Sequence, residues 1–252
     1  MQPTEAELKA AVDPQILADL VLANRILYAL GVVDAFGHVS ARDPKRPEHY
    51  FLSRALAPAL VKAEDIMAYD LDSRPVEDRD CELYSERFIH GEVYRARPDV
   101  YAVVHSHSPT VIPFSISKTP LAPVYHMASF IPPAVPVFEI REVAGMTDLL
   151  VRSKELGQAL ARTLGGNPVA LMRGHGNVVV GANLKYAVSR AYYTEVNARL
   201  QLQARALEGP LTFLDPQESA KFNGGKGVNP ERAWDMWARS VQGESAHTSG
   251  RL

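Results

Sequence analysis

The chain has 252 residues, of which 46% are hydrophobic and 22% charged, and a formal net charge of -2. That length holds one α/β domain with a full core, and a near-neutral balance without a long run of one sign argues against a nucleic-acid partner. MQPTEAELKA has no basic stretch leading into an apolar core, and nowhere do 18 apolar residues run together; no leader or membrane span is expected, and the expected compartment is the cytoplasm.

The first element is PQILADLVLANRILYAL, residues 14–30, with Ile16, Leu17, Leu20, Val21, Leu27 and Leu30 at helical spacing. Asp13 is placed to cap it, Pro14 suits the first helical position and Gly31 the stop. Extended stretches follow at HVSAR (38–42), YFLS (50–53) and DIMAYDLDS (65–73), the last ending in turn-forming residues. The lone cysteine, Cys81, fits a reducing compartment and reads as packing, because no base partner is assigned to it. Residues 82–97, ELYSERFIHGEVYRAR, read as a helix that stops before Pro98, and DVYAVVHSH then reads as a buried strand.

The proline-rich stretch 109–145 lacks a clear period and is expected to be irregular, with a short helix and a strand near PVFEI. Beyond it, SKELGQALARTLGG makes a helix with a glycine stop, PVALMR a buried strand, GHG a turn, NVVVG a further strand, and residues 183–208 a long helix. From Gly209 onward, FNGGKGVNP and a tryptophan-containing helical stretch at 230–240 read as a peripheral arm. The expected organisation is therefore a domain over 1–208 and a C-terminal arm over 209–252.

If residues 100–106 form a strand, His105 and His107 point to one face, because strand side chains alternate with period two. Two imidazoles converging from one edge suit a divalent transition metal, but a third ligand is needed. RGHGNVVVG offers His175, set between two glycines directly after a buried strand. On the helix expected at 82–97, Glu82, Glu86 and His90 fall at i, i+4 spacing. Glu82 and His90 read as a solvated charged stripe, whereas a helix-to-strand return could carry Glu86 back to the metal.

The succession GHVSARD, YFLS, SER, AVVHSHS, RGHGNVVVG resembles the class II aldolase and adducin family over roughly residues 10–208. In that family a His-x-His strand and a later His-Gly turn bind a divalent metal, usually zinc. A glutamate near the start of the preceding helix acts as acid/base and also reaches the metal. The resemblance implies His105, His107 and His175 as ligands and Glu86 as catalytic carboxylate and fourth ligand. It also implies a three-layer α/β/α fold around a mostly antiparallel sheet, and a homotetramer with sites between subunits. Zinc, manganese, cobalt or iron would each suit such a donor set.

Departures from the sugar-phosphate aldolase pattern are informative. Where those aldolases show Gly-Asn, this chain has Gly37-His38; where they carry a phosphate loop it has FLSRALAP; and before Glu86 it has Tyr84-Ser85 rather than Ser-Ser. His38 and Arg54 are groups that hold carboxylates, arginine through a two-pronged pair. Ser53 and Ser85 are further substrate-binding candidates, with capping of backbone groups as the alternative. His126 stands near the expected site entrance or in the core, and Tyr192, Tyr193 and Glu195 read as helix packing.

These features resemble the family branch of metal-dependent decarboxylases acting on hydroxylated aromatic dicarboxylates, of dihydroxyphthalate or hydroxypyridine-dicarboxylate type. The expected activity is that of a carbon–carbon lyase, with decarboxylation ahead of aldol cleavage of a sugar phosphate or hydroxy acid. A non-catalytic adducin-like interaction module is the alternative outside enzymology, and the intact ligand set weighs against it.

Overall fold

The structure is a computed structural model that describes Glu7 and residues 13–77, 79–207, 209–225 and 227–243. Apart from Glu7, the first ten residues, read above for a leader, lie outside the described residues, as do residues 244–252 of the expected arm.

One seven-stranded sheet organises the chain. Its strands are β1 (His38–Arg42), β2 (His49–Ser53), β3 (Ile66–Asp70), β4 (Ala102–Ser106), β5 (Val137–Phe138), β6 (Val169–Met172) and β7 (Gly176–Gly181), in the order β3-β2-β1-β4-β7-β6-β5. Every neighbouring pair is antiparallel except β5 and β6, so the sheet is mostly antiparallel as expected. The helices are α1 (Pro14–Ala29), α2 (Phe88–Ala96), α3 (Ile112–Ile116), α4 (Arg141–Ala144), α5 (Lys154–Leu164), α6 (Leu184–Arg205), α7 (Pro216–Gly224) and α8 (Pro230–Gln242).

Period-two alternation along the strands builds two cores. On β4, Ala102 and Val104 pack with Leu20, Ile26 and Leu27 of α1 and with Ala187, Val188 and Ala191 of α6. Val103 faces the other way, into a cluster with Ile89 and Val93 of α2 and Leu160 and Leu164 of α5. The result is a three-layer α/β/α fold. Among the described residues, no helix is long and apolar enough to cross a membrane.

Two expectations need correction. The helix expected over 82–97 begins only at Phe88. Tertiary hydrogen bonds hold the preceding residues outside it: Ala55 N–H donates to the Glu82 carbonyl at 2.8 Å, and the Tyr84 hydroxyl donates to the Leu56 carbonyl at 2.6 Å. Arg87 Nε donates to the Ser73 carbonyl at 2.9 Å. The Glu82–Glu86–His90 stripe therefore does not exist. Nor is His90 solvated, for it is fully buried on α2. Gly91 permits that burial, since a Cβ there would lie 2.3 Å from Ser73 Oγ and 2.7 Å from the Leu71 carbonyl oxygen.

The stretch read as a peripheral arm packs, through α8, onto α1 and α6. Trp234 and Trp237 are buried in the same core cluster as Leu20 and Ala187, and the Trp237 ring stands 5.1 Å from that of Tyr192. Replacing Trp234 with alanine is expected to cost about 3–5 kcal/mol, the usual price of emptying an aromatic core site. Chemical denaturation read by circular dichroism checks this, and a loss under about 1 kcal/mol would show that α8 contributes little to the core.

Candidate active site

The site forms where β1, β4 and β7 end together. In the antiparallel register His38 of β1 lies opposite His105 of β4, so both side chains share the α2/α5 face, with ring centroids 5.0 Å apart. His107 stands one residue past the end of β4, and His175 occupies the turn between β6 and β7. Gly176 keeps that turn tight, because a Cβ there would fall 2.1 Å from the Ser106 carbonyl oxygen. Glu86 arrives from the turn that leads into α2.

These four residues place one ligand atom each within 4.8 Å of all the others. His107 Nε2 is 3.2 Å from His105 Nε2 and 3.1 Å from His175 Nε2. Glu86 Oε2 is 3.5 Å from His105 Nε2 and 3.3 Å from His175 Nε2. Two donors about 2.0–2.1 Å from a cation at tetrahedral angles are about 3.3 Å apart, which all four separations approximate. The tautomers agree. His105 Nδ1 lies 3.2 Å from the Asn177 carbonyl and His175 Nδ1 3.0 Å from the Leu149 carbonyl. Donation of each Nδ1–H to its carbonyl leaves both Nε2 lone pairs facing inward. A divalent cation would take the place of the protons that otherwise bridge His105 and His175 to Glu86, and the donor set of three imidazole nitrogens and one carboxylate oxygen fits it.

One short segment braces two of these four residues. Leu149 is held at φ 71, a left-handed conformation that costs a branched side chain energy. Its carbonyl receives His175, and two residues on, Val151 N–H donates to Glu86 Oε1 at 2.8 Å.

Burial pushes the Glu86 carboxyl up, but hydrogen bonding and charge from His105 and His175 outweigh it and hold the group ionised, below its usual range. Burial pulls His175 down, yet the Glu86 carboxylate raises it above the ordinary histidine value. His107 is lowered to about 4, by burial first and then by His105 and His175. His90 is lowered to about 3 by burial first, with His105 adding to the effect. Burial first, then His90, lowers His38 as well. For His38, His90 and His107 the unfolded chain binds protons below about 6.5, while the folded metal-free protein does not until far lower pH. Its stability is therefore expected to rise with pH between about 4 and 6.5; above that range the raised His175 acts in the opposite sense, its contribution being lost as pH passes through its folded value. Thermal unfolding in chelator across that range checks the slope; a flat profile would contradict it.

Around the ligand cluster, the expected substrate residues are placed unequally. The ring of His38 is 4.5 Å from that of Tyr84, whose hydroxyl is 3.5 Å from Ser53 Oγ. Arg54 spends its Nε on Asp65, at 2.7 Å, and keeps its side chain 41% exposed, so only its outer edge is open to a ligand. Ser85 is exposed. His126 is also exposed and packs edge-on against Phe222, so it is not a core histidine. Tyr192 and Tyr193 pack on Trp237, while Glu195 accepts a hydrogen bond from the Thr110 hydroxyl. Cys81 is half-buried with its Sγ 3.7 Å from Met67 Sδ, in keeping with packing.

Sequence reasoning missed His90. It carries a buried chain in which His38 Nδ1 lies 2.6 Å from His90 Nε2, His90 Nδ1 2.6 Å from Ser40 Oγ, and Ser40 Oγ 2.7 Å from the Tyr94 hydroxyl. The signal was available in part, since Ser40 lies two residues from His38 on one strand, and His90 and Tyr94 are four apart on one helix face.

Comparison with known proteins places these residues in context. Residues 18–202 match the family described as Class II Aldolase and Adducin N-terminal domain. Decarboxylase tropJ of Talaromyces stipitatus is 35% identical over 247 residues, covering 89% of this chain and 93% of that protein. The 3,4-dihydroxyphthalate decarboxylase of Arthrobacter keyseri is 30% identical over 233 residues, covering 85% of this chain and 89% of its own. Among solved structures, an L-fuculose 1-phosphate aldolase from Glaciozyma antarctica superposes with a TM-score of 0.76 at 23% identity, over 97% of this chain and 96% of that one. That likeness concerns the fold.

Proposed function

This chain belongs to the class II aldolase and adducin family and is a carbon–carbon lyase of its decarboxylase branch; on that premise we propose that it removes a carboxylate, with the help of a divalent metal, from a hydroxylated aromatic dicarboxylate. The observation that carries the reading is the convergence of Glu86, His105, His107 and His175 with His38 beside them. Relatives named as decarboxylases, one of them for 3,4-dihydroxyphthalate, support the same chemistry.

His105, His107 and His175 would hold the metal, with Glu86 able to complete the set. A divalent cation there supplies Lewis-acid stabilisation of negative charge on the substrate's ring oxygens. The chain's own residues supply the rest. Glu86, ionised at rest, takes the proton of the ring hydroxyl beside the departing carboxylate and delivers it to the ring carbon that bears that carboxylate. The carbon–carbon bond breaks, its electron pair returns to the ring, carbon dioxide leaves, and the ring oxygen is reprotonated from water. Overall, one carboxylate and one proton become one carbon–hydrogen bond and carbon dioxide. His38 and the outer edge of Arg54 hold the carboxylates, Ser53 and Ser85 contribute hydroxyls, and the working form is a homotetramer.

The test is a side-by-side assay of metal-replete protein on vicinal hydroxy-dicarboxylic aromatics and on sugar phosphates. Carbon dioxide from the first group alone is expected. Release of an aldehyde from the second, with no carbon dioxide from the first, would replace this reading with an aldolase.

A further inference from the structure

The His38–His90–Ser40–Tyr94 chain has a direction. Tyr94 is 1% exposed, and burial raises its pKa, so it keeps its proton and must donate it. The Arg42 guanidinium, which has no acceptor to offer, lies 4.8 Å from the centroid of its ring. Among the described residues Ser40 Oγ is its one hydrogen-bond partner capable of accepting. If Ser40 accepts from Tyr94, its own proton is free for His90 Nδ1, 2.6 Å away. A neutral imidazole that accepts at Nδ1 carries its proton at Nε2, so His90 Nε2–H points at His38 Nδ1, 2.6 Å off. His38 then accepts at Nδ1 and carries its own proton at Nε2. The opposite polarity, with His90 Nδ1–H donating to Ser40, would leave one hydroxyl proton, that of Tyr94 or of Ser40, without an acceptor among the described residues, which costs about 1–3 kcal/mol.

We infer that His90, backed by Ser40 and Tyr94, is a positioning residue that locks His38 as a hydrogen-bond donor whose Nε2–H is offered to an anionic oxygen of the substrate. No group among the described residues takes His38 Nε2, and the His38 ring lies against both His105 and Tyr84. The identity of the anionic oxygen as a carboxylate or ring oxygen of an aromatic acid rests on the proposed function; the polarity of the chain does not. It follows that His38 is not a resting-state base. A neutral, pre-aimed donor at this place selects for an oxygen acceptor next to the metal-binding cluster and gives nothing to a substrate that presents a donor there.

Neutron diffraction from deuterium-exchanged crystals of the zinc-loaded protein reads the polarity directly. Deuterium is expected on Nε2 of both His38 and His90 and on neither Nδ1, and deuterium on His38 Nδ1 overturns the assignment. Phthalate titration of the zinc-loaded protein gives a second reading. His38→Gln reaches to the Nε2 position with an amide donor and should bind phthalate within about threefold of the wild type. His38→Asn matches only the Nδ1 position and should bind about tenfold more weakly. Equal losses in the two variants would refute the donor role. Failure of the wild type to bind phthalate, with deuterium on both Nε2 atoms, would sustain the positioning role and remove the carboxylated aromatic substrate.

Discussion

His175→Ala is expected to abolish stoichiometric metal binding and lower turnover by about a thousandfold, equivalent to roughly 4 kcal/mol of lost charge stabilisation. His175 is the proposed ligand that closes the cluster from the β6–β7 turn, with its Nε2 facing both His107 and Glu86. Alanine leaves His105, His107 and the Glu86 carboxylate, a set short of one nitrogen whose carboxylate has also lost the imidazole 3.3 Å away, and such a site is expected to lose its ion during purification. The fold should survive, because His175 lies in a turn and its ring bonds only one backbone carbonyl, that of Leu149. Elemental analysis of the purified variant beside circular dichroism checks the prediction. A folded variant that retains one metal per chain would show that the ion is held without this turn.

Glu86→Gln is expected to behave differently, keeping the metal and losing turnover by about 10²- to 10⁴-fold, the range for removal of a general acid/base. An amide at position 86 preserves the acceptor that Val151 N–H uses, so the segment that also braces His175 should stay in place. Three imidazoles remain for the metal. What is lost is the proposed carrier of a proton from ring hydroxyl to ring carbon. Elemental analysis paired with single-turnover kinetics separates the two effects, and near-normal turnover with metal retained would take Glu86 out of the proton path.

The contrast between these two variants follows from what each ligand does beyond coordination, and the sequence disclosed that difference unevenly. The His-x-His strand, the glycine-flanked His175 and the strands at 38–42 and 176–181 were legible because period-two alternation and glycine punctuation are local signals. Glu86 was legible as a candidate, but its place in a turn rather than on a helix was not. Helical spacing in ELYSER carries no trace of the hydrogen bonds from Ala55, or of those reaching Leu56 and Ser73, that hold the segment out of a helix. His90 was misread as solvated for the same reason. Its burial is compensated by His38 and Ser40, about fifty residues away in sequence, and by the missing side chain at Gly91. The role of α8 depended likewise on Trp234 and Trp237 finding α1, at the far end of the chain, together with α6. Local pattern, in short, singled out the residues that converge, while long-range packing decided how they are supported.

The most direct test of a metal-dependent decarboxylase is to follow labelled carbon dioxide from a carboxyl-labelled hydroxyphthalate through removal and return of the metal. The account predicts one carbon dioxide per molecule of ring product, loss of release in the chelator-stripped protein, and recovery when a divalent ion is restored at one equivalent per Glu86–His105–His107–His175 cluster. Undiminished release from protein shown to be metal-free would contradict it.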